Sequence, residues 1–414
     1  TVKIRTRRPF DNGGDRIVTA SVMGAYSELA DDLGSRFTGV FSDSFADKTW
    51  GFLIGVAYDD RTVREDWFGV PDYEPKIFNN AVDENGVSLD GTCTLLNTAQ
   101  GCGYAAGNVR MGIVEDERER LNLSSALQWR PSDTVDVTLD LQHNEFTRDY
   151  IDIQLPLRTQ AGLAGGAQEV FQNENDIVTF FSTDRARPRP FPRDFDTTVK
   201  QDQIALNATF TPNEKIEVNL DASWSKSTTD ELQGATFYDI ASGVPASFDA
   251  RNGFIPSVSV DADLTDPSIY TFSLLQDTVR NVEDEEFQFR SDVTYFFDDG
   301  NSIAAGISYS DRDRQNDRYT MSVGTRFGNF RNEPLTNTVF HELPYSDAFS
   351  GIGGGANTWP TNWLWADPAA VRQQFLVDRK DEIPADQFAS ADALSGEAFL
   401  INEKKLGGYV MLNL

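Results

Sequence analysis

The sequence predicts an all-β chain: an antiparallel transmembrane β-barrel, present as a partial barrel of about ten strands with long extracellular loops. Three observations predict it. Apolar and polar residues alternate along strand-length segments, which sets one greasy wall against one polar wall in each hairpin. Short turns alternate with very long connections, so the long ones all fall on one side. Aromatic residues gather at both ends of the apolar stripes, as they do where strands cross the two edges of a bilayer.

The strands are expected near 16–28, 35–45, 50–63, 117–130, 134–148, 199–211, 215–228, 283–297, 302–315 and 398–414. The second carries Phe37, Phe41 and Phe45 on one parity, with Asp43 out of place among them. The turn Ala46-Asp47-Lys48-Thr49 leads into the third, whose Phe52 and Ile54 continue the apolar wall. Leu121, Leu123, Leu127 and Trp129 mark the fourth, and after Pro131-Ser132-Asp133 the fifth follows with Val135, Val137, Leu139 and Leu141. Pro212-Asn213-Glu214 joins the sixth and seventh, where Glu217, Asn219, Asp221 and Ser223 oppose Val218. Asp298-Asp299-Gly300-Asn301 joins the eighth, with Gln288, Arg290, Asp292 and Thr294 on its polar face, to the ninth. Each turn is rich in residues that favour tight reversals. Long connections are expected near 64–116, 149–198, 229–282 and 316–397, the last holding a short helix at Pro368 to Arg379.

Phe45, Trp50, Trp129, Phe210 and Phe297 lie beside the short turns, and Tyr58, Trp224, Phe287 and Tyr309 lie at the far ends of the same strands. Trp50 and Tyr58 are eight residues apart. At about 3.3 Å per residue and a tilt near 45°, that spans roughly 19 Å, close to a lipid-facing band of about 25 Å. The competing arrangement is a β-sandwich whose apolar face packs on a second sheet. The polar faces require water or a hydrophilic filler opposite them.

Composition narrows the function classes. The formal net charge is -29, from 65 acidic and 36 basic residues among 414, which argues against a nucleic-acid partner because nothing would offset phosphate repulsion. No run of apolar residues is long enough for a spanning helix. Cys93 and Cys102 are the two cysteines; their spacing fits a disulfide-closed loop in an oxidising compartment, the other possibility being two free thiols. Thr1 opens the chain without a signal peptide, so the chain is expected to be less than a complete gene product.

Catalytic and metal sites are not expected. His143 and His341 stand far apart without Cys or His neighbours, Gly351 to Gly355 lacks the Lys-Ser/Thr of a phosphate loop, and Asp261 with Asp263 lacks the register of a calcium loop. Two ligand candidates remain. Trp359, Asn362, Trp363 and Trp365 offer aromatic planes beside amides, a combination suited to sugars; alternatively these indoles pack the loop onto the barrel mouth. Arg185, Arg187, Arg189 and Arg193 form a stiff basic strip able to touch a polyanion such as lipopolysaccharide phosphate, or to pair with acidic loops.

Thr1-Val2-Lys3-Ile4-Arg5-Thr6-Arg7-Arg8-Pro9-Phe10-Asp11 resembles the last strand and exit of the plug domain of TonB-dependent outer-membrane receptors. Leu29 to Gly34, Phe41 to Phe45 and Trp50-Gly51-Phe52 are similar to the first barrel hairpins of that family, and Glu403 to Val410 to a mid-barrel strand of its carbohydrate-uptake-like branch. The resemblance implies a 22-stranded barrel around a plug, of which residues 1–12 would be the plug tail and 13–414 the N-terminal half of the barrel wall. It implies a non-enzymatic receptor in the Gram-negative outer membrane that binds a scarce nutrient, an oligosaccharide, without a cofactor. Its partners would be membrane lipid and lipopolysaccharide, the ligand, and TonB with its inner-membrane energising complex. Alone, the chain would be incompetent for transport and would keep two open sheet edges. A passive porin or sugar channel, and a secreted all-β carbohydrate-active enzyme with paired carboxylates, are the alternatives.

Overall fold

The structure, a computed structural model, describes residues 7–71, 73–77, 102–158, 167–172, 177–240, 242–251, 256–298, 300–323, 339–350, 359–382 and 398–413. Ten long strands form one antiparallel meander: β1 (Ile17–Ser27), β2 (Asp32–Phe45), β3 (Trp50–Gly69), β6 (Asn108–Ser132), β7 (Val135–Arg158), β10 (Phe191–Asn213), β11 (Ile216–Ile240), β14 (Tyr270–Phe296), β15 (Ser302–Val323) and β18 (Phe399–Asn413). Each pairs with its neighbours in that order, and β1 does not pair with β18. Among the described residues the sheet is open, and no closed barrel is seen.

All ten expected strands are present, and most reach farther toward the long connections than the alternation indicated. The short turns are tight for local reasons. Ala46, Asp47 and Lys48 all take positive φ, and Thr49 N donates to Ala46 O at 3.0 Å. Gly300 sits at φ 86, where a side chain would be strained. Pro131 with Ser132 and Pro212 with Asn213 belong to the strands, which narrows those two turns.

Because the ladders run in register across the meander, alternation assigns every strand residue to one of two faces. Ladder partners Phe41, Ile54, Ser125, Leu141, Ile204, Trp224 and Phe287 form one row of the apolar face; Asp43, Phe52, Leu127, Leu139, Leu206, Ala222 and Phe289 form the next. Among the described residues no second layer covers these rows. Leu220, Ile204 and Val410 are 42%, 47% and 76% exposed, and Phe52, Leu139 and Val218 are half-exposed. Asp43 sits in the apolar set because Arg16 closes on it at 2.7 Å beside the turns. Phe45 stacks on Trp50 at 6.4 Å between centroids, and Trp50 meets Trp129 at 5.8 Å, so the lower aromatic row is continuous across three strands.

Beyond the charged residues that follow Trp224 and Phe287, the connections build a second layer on that same face. It comprises β8 (Ala167–Gln172), β9 (Val178–Pro188), β12 (Val244–Asp249) and β13 (Ser257–Val260), the pair β16 (Phe340–Glu342) and β17 (Leu364–Ala366), and helix α1 (Pro368–Arg372) with a π-helical turn at Gln373–Asp378. The helix expected at Pro368 to Arg379 is thus present, capped by Asp367, whose side chain accepts from Ala369 N. The layer packs on Met111, Ile113, Leu155 and Tyr238 with Phe181, Phe248, Phe272, Trp363 and Phe375 fully buried. A further hairpin pairs β4 (Tyr73–Ile77) with β5 (Cys102–Ala106).

Candidate functional site

The polar face is concave. Near the short turns it encloses a cavity of about 770 Å³ bounded by Gln142, Asn207, Asn219, Asp221, Arg290 and Tyr409, among others. Its side chains satisfy one another: Asn207 Nδ2 donates to Asp221 Oδ1 at 2.6 Å, Thr209 Oγ1 to Asn219 Oδ1 at 2.7 Å, and Asn219 Nδ2 to Glu217 Oε1 at 2.7 Å. Tyr409 Oη reaches over β15 to Asp292 Oδ1 at 2.6 Å. Only glycine permits this, because a Cβ on Gly306 would lie 2.4 Å from the Tyr409 ring.

Residues 8–14 cross the turn end of this wall. Arg8 Nη2 donates to Asn207 Oδ1 at 3.1 Å, Phe10 N to Gln128 Oε1 at 3.1 Å, and Ser44 Oγ to Gly14 O at 2.5 Å. Gly51 makes the room, since a Cβ there would meet Pro9 at 2.5 Å. Polar strand residues thus face a polar filler over part of their length.

Farther up, the same face changes chemistry. Trp67, Tyr150, Phe191, Phe195 and Phe237 all share its parity, and all five rings are half-exposed. Tyr150 and Phe195, ladder partners, meet edge to face at 5.0 Å, and Phe191 stacks on Phe237 at 4.1 Å. Guanidiniums lie on these rings: Arg148 over Tyr150 at 4.5 Å, Arg189 over Phe237 at 4.6 Å, and Arg193 over Phe191 at 5.4 Å.

Carboxylates hold the guanidiniums in place. Arg148 grips Asp116 through Nε at 2.9 Å and Nη2 at 2.8 Å, and Arg118 binds the same carboxylate. Burial pushes the Asp116 carboxyl up, but those two arginines prevail and hold it below its ordinary value. Buried Asp152 accepts from Gln154, Arg193 and, at 3.4 Å, from Trp67 Nε1. Gly112 lets the indole in, for a Cβ there would lie 2.7 Å from Trp67 Nε1. Burial, then the charge of Asp152, pushes the Tyr150 hydroxyl up to about 12, so it remains a neutral donor. The result is a fixed array of aromatic planes, donors and acceptors, able to stack on a ring and hydrogen-bond its hydroxyls.

The sequence-derived candidates lie elsewhere or at its margin. Trp363 is fully buried against Phe349 at 6.0 Å, which gives it the packing role of the two open to it. Trp359 meets Phe68 edge to face at 4.4 Å on the layered side and borders a groove with Asn362 and Asp263. Asn362 Nδ2 donates to Glu342 Oε2 at 2.8 Å, and Trp365 Nε1 to Glu342 O at 3.2 Å. Of the basic strip, Arg193 joins the upper array; Arg189 pairs with Asp239 at 2.9 Å, burial pulling its guanidinium below the usual value. Arg185 and Arg187 are exposed on β9, the former 3.7 Å from Asp184. The strip is therefore two features, one on each side of Pro188. Cys93 lies outside the described residues, as does the side chain of Cys102.

No family model, curated protein or solved structure matches the chain.

Proposed function

We propose that the chain is wall and outer loops of an outer-membrane receptor of the TonB-dependent type, which captures a nutrient, an oligosaccharide, at the cell surface for energised uptake. The uncovered apolar face carries this reading. Ten adjacent strands present rows of half-exposed Leu, Ile, Val and Phe between two aromatic rows, a surface far larger than soluble chains leave bare and one that lipid would cover. The segment 8–14 across the concave wall favours a plugged receptor over an open porin. The upper rings, flanked by Arg148, Arg193 and Asp152, suit sugar faces and hydroxyls better than an apolar ligand.

Fractionation of cells expressing the full chain is the first test. Recovery with outer membranes, extractable only by detergent, supports the reading, and a freely soluble monomer rejects it. Uptake of labelled oligosaccharide by cells carrying the whole receptor separates the two transport modes: collapse of the proton-motive force stops energised import and leaves passive diffusion untouched.

A further inference from the structure

The lipid-facing wall carries a depression of about 450 Å³ where the apolar rows meet the first charged row. Its floor is Ser125, the one small side chain between Ile54 and Leu141 in a row of larger ones, and Leu123, Ile204 and Trp224 form the sides. At its rim stand His143 and Asp202, 2.7 Å apart through Nδ1 and Oδ1.

The cations of that face are not evenly spread. Every arginine in the ten long strands except buried Arg64 has the parity of the concave wall. On the apolar-parity face the remaining basic side chains of those strands are His143, Lys200, Lys226 and Lys404. Three of the four stand together at the depression: His143 and Lys226 are both ladder partners of Asp202, and Lys200 reaches Glu145 at 3.1 Å. Elsewhere the two rows that hold these cations are acidic on one flank, with Glu283, Glu285 and Asp313, and uncharged on the other, with Val56, Tyr58, Leu121 and Leu123. An apolar slot topped by the only place where the ten described strands bring three basic side chains together on this face, each in a partly exposed pair with a carboxylate, complements an acyl chain with a phosphate head.

We propose that this depression holds one acyl chain of lipid A, with its phosphate between Lys200, Lys226 and His143; this rests on the membrane reading above. The existing pairs with Glu145, Asp202 and Glu283 are partly exposed and so exchange at little cost for a phosphate. The depression lies toward the long connections, hence in the outer leaflet.

The test is native mass spectrometry of the full chain extracted in detergent, delipidated and titrated with diphosphorylated lipid A, its dephosphorylated form, or phosphatidylethanolamine. One retained diphosphorylated molecule is expected. Ser125→Phe, which fills the slot, should weaken it about tenfold. Lys200→Gln with Lys226→Gln should erase the preference for phosphate while leaving heat-modifiable gel mobility, and so folding, unchanged. Equal retention of the dephosphorylated form or of phosphatidylethanolamine, or an unchanged Ser125→Phe, would overturn the site. A chain that fractionates with outer membranes yet retains no lipid A rejects this proposal alone, whereas a soluble chain rejects the membrane reading itself.

Discussion

Asp277 lies under α1, where Arg372 Nη1 stands 3.6 Å from it and 2.9 Å from Asp194. Burial pushes its carboxyl up to about 6, with Arg372 opposing and Asp194 adding to the shift. Because the folded value exceeds the ordinary 3.8, the native state holds this proton more tightly than the unfolded chain. The cost of ionisation is therefore fully present above about pH 6 and is relieved as the pH falls toward 4. Asp277→Asn should raise the protection of α1 amides against hydrogen exchange at pH 8, by up to ~3 kcal/mol, and the gain should vanish near pH 4. A gain that persists at low pH would assign it to packing instead. On the concave side, Arg148→Met strands Asp116 with Arg118 alone and should cost ~3 kcal/mol in chemical denaturation, most of it restored when Asp116→Asn is added. Gly112→Ala should displace the Trp67 indole from Asp152, lowering stability by about 1–3 kcal/mol and shifting tryptophan emission.

Besides its buried rings, the connection running through β16, β17 and α1 is held by two guanidinium anchors. Arg64 is buried, donating to both Asp66 oxygens at 2.9 Å and to Asp347 at 2.8 Å; Arg372 grips Asp194. Arg372→Gln should speed exchange across residues 359–382 by an order of magnitude or more while leaving β6 and β7 protected, since only one anchor is lost. Exchange rising equally in β6 and β7 would mean that the layer and the wall unfold together. The same division explains what was legible beforehand. Where one face meets water and the other is bare, as from Val135 to Leu141, alternation is strict and marks the strands to within a few residues. Above Lys226 the second layer covers one face and rings mix with arginines on the other, so the alternation fades and the strand extensions carry no strand signature in the sequence. Tyr150 and Phe195 could not be joined from sequence, because a long connection between β7 and β10 leaves their register unset, unlike the hairpin that a tight turn fixes. The parity of Phe195 with Gln203 and Asn207 was the available hint that it faces the concave side.

At the scale of the molecule, β1 and β18 each pair on one side, and their residues are almost all exposed. Such edges template further strands. Val22→Cys combined with Val410→Cys should cross-link separate copies in detergent within minutes of oxidation, and failure to do so would show that the edges are shielded. The concave wall carries a different message. Its guanidiniums and carboxylates neutralise each other within single strands or between neighbours, as Arg290 with Asp292 and Arg312 with Asp284 do. Although the chain bears a formal charge of -29, a solute beside this wall meets a mosaic of opposed dipoles whose field fades within a few ångströms. Contact with it would be sorted by shape and hydrogen-bond placement, with ionic strength nearly irrelevant, so a neutral solute and a charged one of equal outline would dwell there for similar times.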